Sequence, residues 1–159
     1  MQRDGSRSSV LKFLEAVPQS ALKIFDINLR QYFYTPEILS RSMELADVLK
    51  INDEEIVAVA RMFGLGDDMH AACRTLMKQY GLRFVLLTKG AQGSEVVCAD
   101  EVIPQGVEDV EVVDTVGAGD AFTAAFAVAY LRGESPAEAQ KLASKVTAYV
   151  CSHKGAMPE

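Results

Sequence analysis

The stretch of this chain with the most chemistry in it is Asp114-Thr115-Val116-Gly117-Ala118-Gly119-Asp120. It follows the valine-rich run 110–113, which reads as a strand, and leads into the apolar run 121–131, which reads as a helix. The first N–H groups of a helix have no internal partner and lie at the positive end of its dipole, so a small-residue turn there makes an anion site. The N–H groups of Gly117, Ala118 and Gly119 are the expected anion hole, and the two glycines let a ligand approach the backbone without a Cβ in the way. Asp120 is the odd member, because a carboxylate beside an anion site repels its ligand. Its chemistry is that of a general base, taking a proton from an attacking hydroxyl while the turn holds the charge on a transferring phosphoryl group. The plainer reading of the same residues is a tight strand-to-helix turn, with Asp114 and Thr115 as a capping pair and Asp120 favouring the dipole.

Three further stretches put polar residues where ligands collect. The apolar run 21–27 reads as a buried strand, and Asp26, Asn28 and Arg30 arrive at its carboxyl end at alternate positions, on one face of extended chain. A forked Arg30 there suits a phosphate or a sugar oxygen, and a solvated Asn-Arg turn is the equal alternative. Asn52 and Glu55 have the spacing of a capping box at a helix start after the strand 47–51. Thr88, Gly90 and Gly93 follow the apolar strand 84–87 in a glycine turn that reads as a hairpin with 95–98.

The elements that position these stretches follow from periodicity. Helices are expected over 10–17, 36–46, 52–63, 69–80, 121–131 and 136–150, with short strands between the earlier ones. Alternating strands and helices give an α/β class with a mostly parallel sheet covered on both faces. The chain has 159 residues, 49% apolar and 24% charged, the balance of one globular domain. A net charge of −6 argues against nucleic acid as a partner. Three widely spaced cysteines suit reduced cytosolic thiols, and two histidines leave little for a zinc cluster or a His-based triad. No apolar run approaches the roughly 18 residues of a membrane span. The location expected is cytoplasmic.

The string 114–120 matches at every specified position the pattern Asp-Thr-x-Gly-Ala-Gly-Asp of the ribokinase-like (PfkB) family of sugar kinases, and the chain resembles the C-terminal half of such a kinase. The resemblance implies a three-layer αβα, Rossmann-like fold truncated on its N-terminal side, with residues 1–159 as the nucleotide-binding portion. It implies Asp120 as the catalytic base and ATP with Mg²⁺ as cofactors, Asn52 and Glu55 organising the ion and its waters and Lys50 adding charge toward the phosphates. Asp26-x-Asn28-x-Arg30 is similar to the segment of fructokinases and 2-keto-3-deoxygluconate kinases, so fructose is the expected sugar, with ribose, 2-keto-3-deoxygluconate and nucleosides as alternatives. Thr88, Gly90, Gly93 and Thr115 would line the nucleotide. Ser144 and Gly155 would flank adenine, and Asp114 would border a monovalent-cation (K⁺) loop. The partners implied are a small-molecule sugar and ATP, without nucleic acid or membrane, and a homodimer of the longer protein. The glycine-rich N-terminal signature, the sugar-binding residues and the β lid are not in the chain. The competing expectation is therefore a nucleotide-binding module without catalysis. A sheet cut in its middle is also expected to self-associate, and to leave the chain without sugar phosphorylation of its own.

Overall fold

The computed structural model describes residues 2–30 and 34–158. In chain order the elements are α1 (Gln2–Ala16), β1 (Ile24–Asp26), α2 (Pro36–Glu44), β2 (Val48–Asn52), α3 (Asp53–Phe63), α4 (Met69–Tyr80), β3 (Phe84–Thr88), a 3-10 turn (Gly90–Gln92), β4 (Ser94–Val97), β5 (Val102–Gln105), α5 (Ala118–Leu131) and α6 (Pro136–Cys151). The five strands form one sheet in sequence order. β1, β2 and β3 run parallel, whereas β4 and β5 return antiparallel, so the sheet is mixed.

Alternation along the strands divides the core in two. Val48, Phe84, Leu86 and Val96 face α5 and α6, where Phe122, Phe126, Ala129, Ala139 and Ala143 meet them. Leu49, Ile51, Val85, Leu87 and Val97 face the other way, onto Leu39 and Met43 of α2, Ile56 and Val59 of α3, and Ala72, Cys73 and Leu76 of α4. Each large aliphatic side chain buried this way contributes about 1.5–3 kcal/mol. The result is the three-layer αβα arrangement. α5 is pinned to β3 by a cluster of rings: Phe84 stands edge-on to Phe126 at 5.7 Å and to Tyr130 at 5.4 Å.

Local signals place most element ends. Asn52 and Glu55 form the capping box of α3, Asp68 caps α4 through the Ala71 N–H, and Gly81 closes α4 at φ 69°. Other expectations are corrected. Residues 110–113 are not a strand: Val110, Val112 and Val113 are exposed, and the Val113 and Asp114 N–H groups donate to the Cys151 carbonyl at the end of α6. A β-branched run favours extended chain, but without a neighbouring strand it makes no ladder. The strand absent from the sequence reading is β5, whose Pro104 is tolerated because β5 lies at the sheet edge. α5 begins at Ala118, so the end of the 114–120 string forms its first turn. β1 occupies only the last part of 21–27, and α1 starts ahead of the 10–17 run.

The hairpin loop depends on Gly93. Its φ is +90°, and a Cβ there would stand 2.1 Å from the Gln105 carbonyl oxygen, whereas Gly90, at φ +52°, faces open space. Gly90→Ala is expected to cost about 1 kcal/mol for the left-handed backbone alone, and Gly93→Ala at least roughly 2 kcal/mol more through the clash with backbone. Urea unfolding of the two variants checks the difference. Val10, Phe13 and Leu131 leave more than half of their surface in solvent, and Val128 leaves 47%. The chain is accordingly expected to self-associate at micromolar concentration, and a monomer by light scattering is the opposing result.

Candidate active site

The string 114–120 folds as a brace followed by a turn. Asp114 Oδ1 accepts the Val116 N–H and Oδ2 the Gly155 N–H, both at 3.0 Å, so the first aspartate ties the motif to the C-terminal turn 154–156. These two bonds hold its carboxyl below the usual carboxylate range. With both oxygens engaged, Asp114 is a brace, and no feature here supports a monovalent cation beside it. Gly117 caps α5 at φ +80°, and a Cβ on it would lie 2.6 Å from Ala156 Cβ. The glycine is thus required by packing as well as by conformation.

Of the three N–H groups expected to hold an anion, that of Ala118 donates to the Thr115 carbonyl at 3.2 Å. The first α-helical bond is made by the Ala121 N–H to Gly117 O at 2.8 Å. The N–H groups of Gly119 and Asp120 precede that bond and, like that of Gly117, make no hydrogen bond among the described residues. Asp120 is exposed, and among the described residues nothing donates to its carboxylate.

Beneath this turn lies Lys50, 7% exposed, in the middle of β2. Its Nζ is 2.9 Å from Asp26 Oδ1 and 3.2 Å from the place a Cβ on Gly119 would occupy. Asp26 is the register partner of Lys50 on β1. The Thr123 hydroxyl, one helical turn beyond Gly119, is 2.8 Å from Asp26 Oδ2 and 2.9 Å from Gly119 O. Its single proton goes to the charged acceptor, which makes the stronger bond. Thr123 is absent from the sequence reading, and its signal there is faint: one hydroxyl in an otherwise apolar helix. Asn28 and Arg30 stand past the end of β1, both exposed, with no strand geometry to hold them on one face.

The remaining candidates take structural bonds. Glu55 Oε2 accepts the Asn52 N–H at 3.0 Å and Oε1 the Leu29 N–H at 3.2 Å, while Asn52 Oδ1 accepts the Glu55 N–H at 2.8 Å. Among the described residues no cluster of three or more His, Cys, Asp or Glu is arranged to hold a metal. A divalent ion here would therefore be held through waters and phosphate oxygens, a habit that fits Mg²⁺ and not zinc. Thr88 ends β3, Gly90 opens the 3-10 turn, Thr115 lends its carbonyl to Ala118, and the Ser144 hydroxyl donates to Gly106 O at 3.1 Å. A cleft lined by Ser20, Leu22, Arg83, Tyr130 and Glu134 opens at the amino ends of the strands, the opposite end from the motif.

A glycine turn on a helix N-terminus, over a buried cation and beside parallel strands of an α/β sheet, is an arrangement whose charge suits an anion. The chain belongs to the pfkB family of carbohydrate kinases, whose match covers residues 3–159. It is 32% identical over 130 residues to a fructokinase of Escherichia coli, covering 78% of this chain and 41% of that one. Among solved structures it is similar to the ribokinase of Thermotoga maritima, with TM-score 0.78 and 27% identity, covering 93% of this chain and 48% of the other. It is likewise similar to the aminoimidazole riboside kinase of Salmonella enterica, with TM-score 0.79 and 26% identity over 95% of this chain and 53% of that one. The fold is ribokinase-like. The chain spans half or less of the length of the curated relatives it matches. No described helix is long and apolar enough to cross a membrane.

One ionic cluster flanks the hairpin loop. Glu95, 9% exposed, accepts from His70 Nε2 at 2.8 Å and from Lys89 Nζ at 2.5 Å, linking α4 to the residue that opens the loop. Burial alone would raise the Glu95 carboxyl, but the His70 and Lys89 hydrogen bonds outweigh it and set it below the ordinary 4.5. A depressed carboxyl contributes stability above its unfolded value and loses it as pH falls through the folded one. Acid unfolding of the wild type is expected to steepen below about pH 4.5 through this group, and Glu95→Gln to flatten that limb while lowering stability at neutral pH. A parallel fall of both proteins between pH 7 and pH 3 is the contrary result.

Proposed function

We propose that this chain is the nucleotide- and phosphoryl-binding half of an ATP-dependent sugar kinase, with a fructose-type hydroxyl as acceptor. The observation that supports this most is the contrast among three aspartates. Asp114 is tied by two N–H groups and Asp26 by Lys50 and Thr123, while Asp120 presents an unpartnered carboxylate at the turn. In this reading Asp120 takes the proton of the sugar hydroxyl as its oxygen bonds to the γ-phosphorus and the bond to the ADP oxygen breaks. The N–H groups of Gly119 and Asp120 and the ammonium of Lys50 stabilise the charge on the phosphoryl in flight. Asn52 and Glu55 are the residues that would hold a Mg²⁺ ion, which would supply charge neutralisation on the phosphates. In the same reading Arg30, exposed beyond β1, contacts the sugar, and Thr88, Gly90 and Gly93 line the nucleotide. The likeness to fructokinase supports fructose, and the likenesses to ribokinase and nucleoside kinase keep ribose and nucleosides as alternatives, beside 2-keto-3-deoxygluconate. The competing reading is a nucleotide-binding module without catalysis.

The test is coupled ADP release in a chain extended to the relatives' length, assayed across these acceptors. Asp120→Asn is expected to lower turnover by about 10³-fold while ATP affinity stays within about twofold. The 159-residue chain alone is expected to bind ATP without sugar-dependent ADP release. Wild-type turnover in Asp120→Asn sinks the mechanism, and ATP binding with no turnover in the extended wild type selects the module.

A further inference from the structure

Lys50 occupies an unfavourable place for a cation. It is buried, and the N-terminal turn above it is the positive end of a helix dipole, so ammonium and helix repel each other. Asp26 offsets both. Its Oδ1 forms a 2.9 Å ion pair with Lys50 Nζ whose geometry falls outside that of a hydrogen bond. Its Oδ2 is anchored by Thr123, which in turn sits against the Gly119 carbonyl. β1, β2 and the first turns of α5 are thereby joined through one carboxylate.

We propose that Asp26 is a positioning residue and the internal counter-ion of Lys50, not a ligand for sugar or phosphate. It holds the ammonium under the Gly119 turn, and its negative charge stands in for the phosphoryl group that the turn and Lys50 receive. This inference rests on the reading of the turn as a phosphoryl site. The two roles differ in sign. A carboxylate that binds the ligand directly loses affinity when neutralised. A counter-ion that competes with an incoming anion for the same ammonium gives higher anion affinity when neutralised.

Isothermal titration of the 159-residue chain with ATP, and separately with inorganic phosphate, tests this in wild type, Asp26→Asn, Asp26→Glu, Lys50→Met and the Asp26→Asn/Lys50→Met double variant. Asp26→Asn is expected to bind both anions about tenfold tighter, the lower end of what a full charge within a few ångströms does to an ionic equilibrium. Asp26→Glu keeps the wild-type affinity, Lys50→Met binds more weakly, and the gain from Asp26→Asn vanishes in the double variant. Unchanged or weaker binding by a folded Asp26→Asn overturns the proposal and leaves the phosphoryl reading standing. A wild type that binds neither anion overturns both. Should circular dichroism report that Asp26→Asn is unfolded, wild type labelled with ¹³C at lysine Cε decides the question. A Lys50 resonance that shifts with saturating phosphate supports the exchange of partners, and one that stays fixed while the Gly119 amide moves refutes it.

Discussion

The structure turns on one electrostatic constraint, the placing of a lysine ammonium directly beneath the N-terminus of α5. Burying an unpaired ion costs several kcal/mol, and the helix end above adds a repulsion of its own. The arrangement persists because the parallel register of β1 and β2 sets Asp26 beside Lys50, and because Thr123 fixes the far oxygen of that carboxylate. Gly119 is the other half of the constraint. A side chain at that position would press on Nζ at 3.2 Å, so the glycine lets the turn sit close over the protein's own cation.

The rest of the architecture serves to hold α5 at that height over the sheet. The Phe84, Phe126 and Tyr130 rings fix its middle and C-terminal part on β3, and such pairs add about 0.5–1.5 kcal/mol each beyond their burial. Its first turn is fixed from the other side, by Ala156 against Gly117 and by the Asp114 bond to the Gly155 N–H. α5 is therefore clamped at both ends by contacts between residues far apart in the sequence, which gives the short glycine turn a defined geometry without a side-chain cap.

What could be read from the chain alone was what local chemistry determines. The Asn52/Glu55 capping box, the Asp68 and Gly81 ends of α4 and the Ser135-Pro136 start of α6 all follow from residues within a few positions of each other, and all are present. The errors arose where an element depends on a partner. Residues 110–113 have the composition of a strand and no strand to pair with, whereas β5 carries a proline that counts against it until β4 is seen to need an edge. The site divides the same way. The glycine turn was visible as a string, but the Asp26–Lys50 contact depends on the register of two strands separated by α2, and Thr123 enters only once α5 is laid across them.

This division explains why the acidic residues of the site were hard to rank by type. Asp26, Asp114 and Asp120 are the same side chain at the ends of the same group of elements, and composition gives each an equal claim to chemistry. Proton transfer needs an oxygen whose lone pairs are not already committed to the fold. Two N–H donors commit Asp114, a hydroxyl and the charge of a buried ammonium engage Asp26, and each is then better understood as part of the support than as part of the reaction. Asp120 differs because α5 begins at Ala118: the helix places that carboxylate in its first turn, exposed, while the backbone N–H of the same residue precedes the first α-helical bond. A base and an oxyanion donor on one residue are compatible only when the side chain and the N–H point to different parts of the reacting group, and the first turn of a helix separates them in that way.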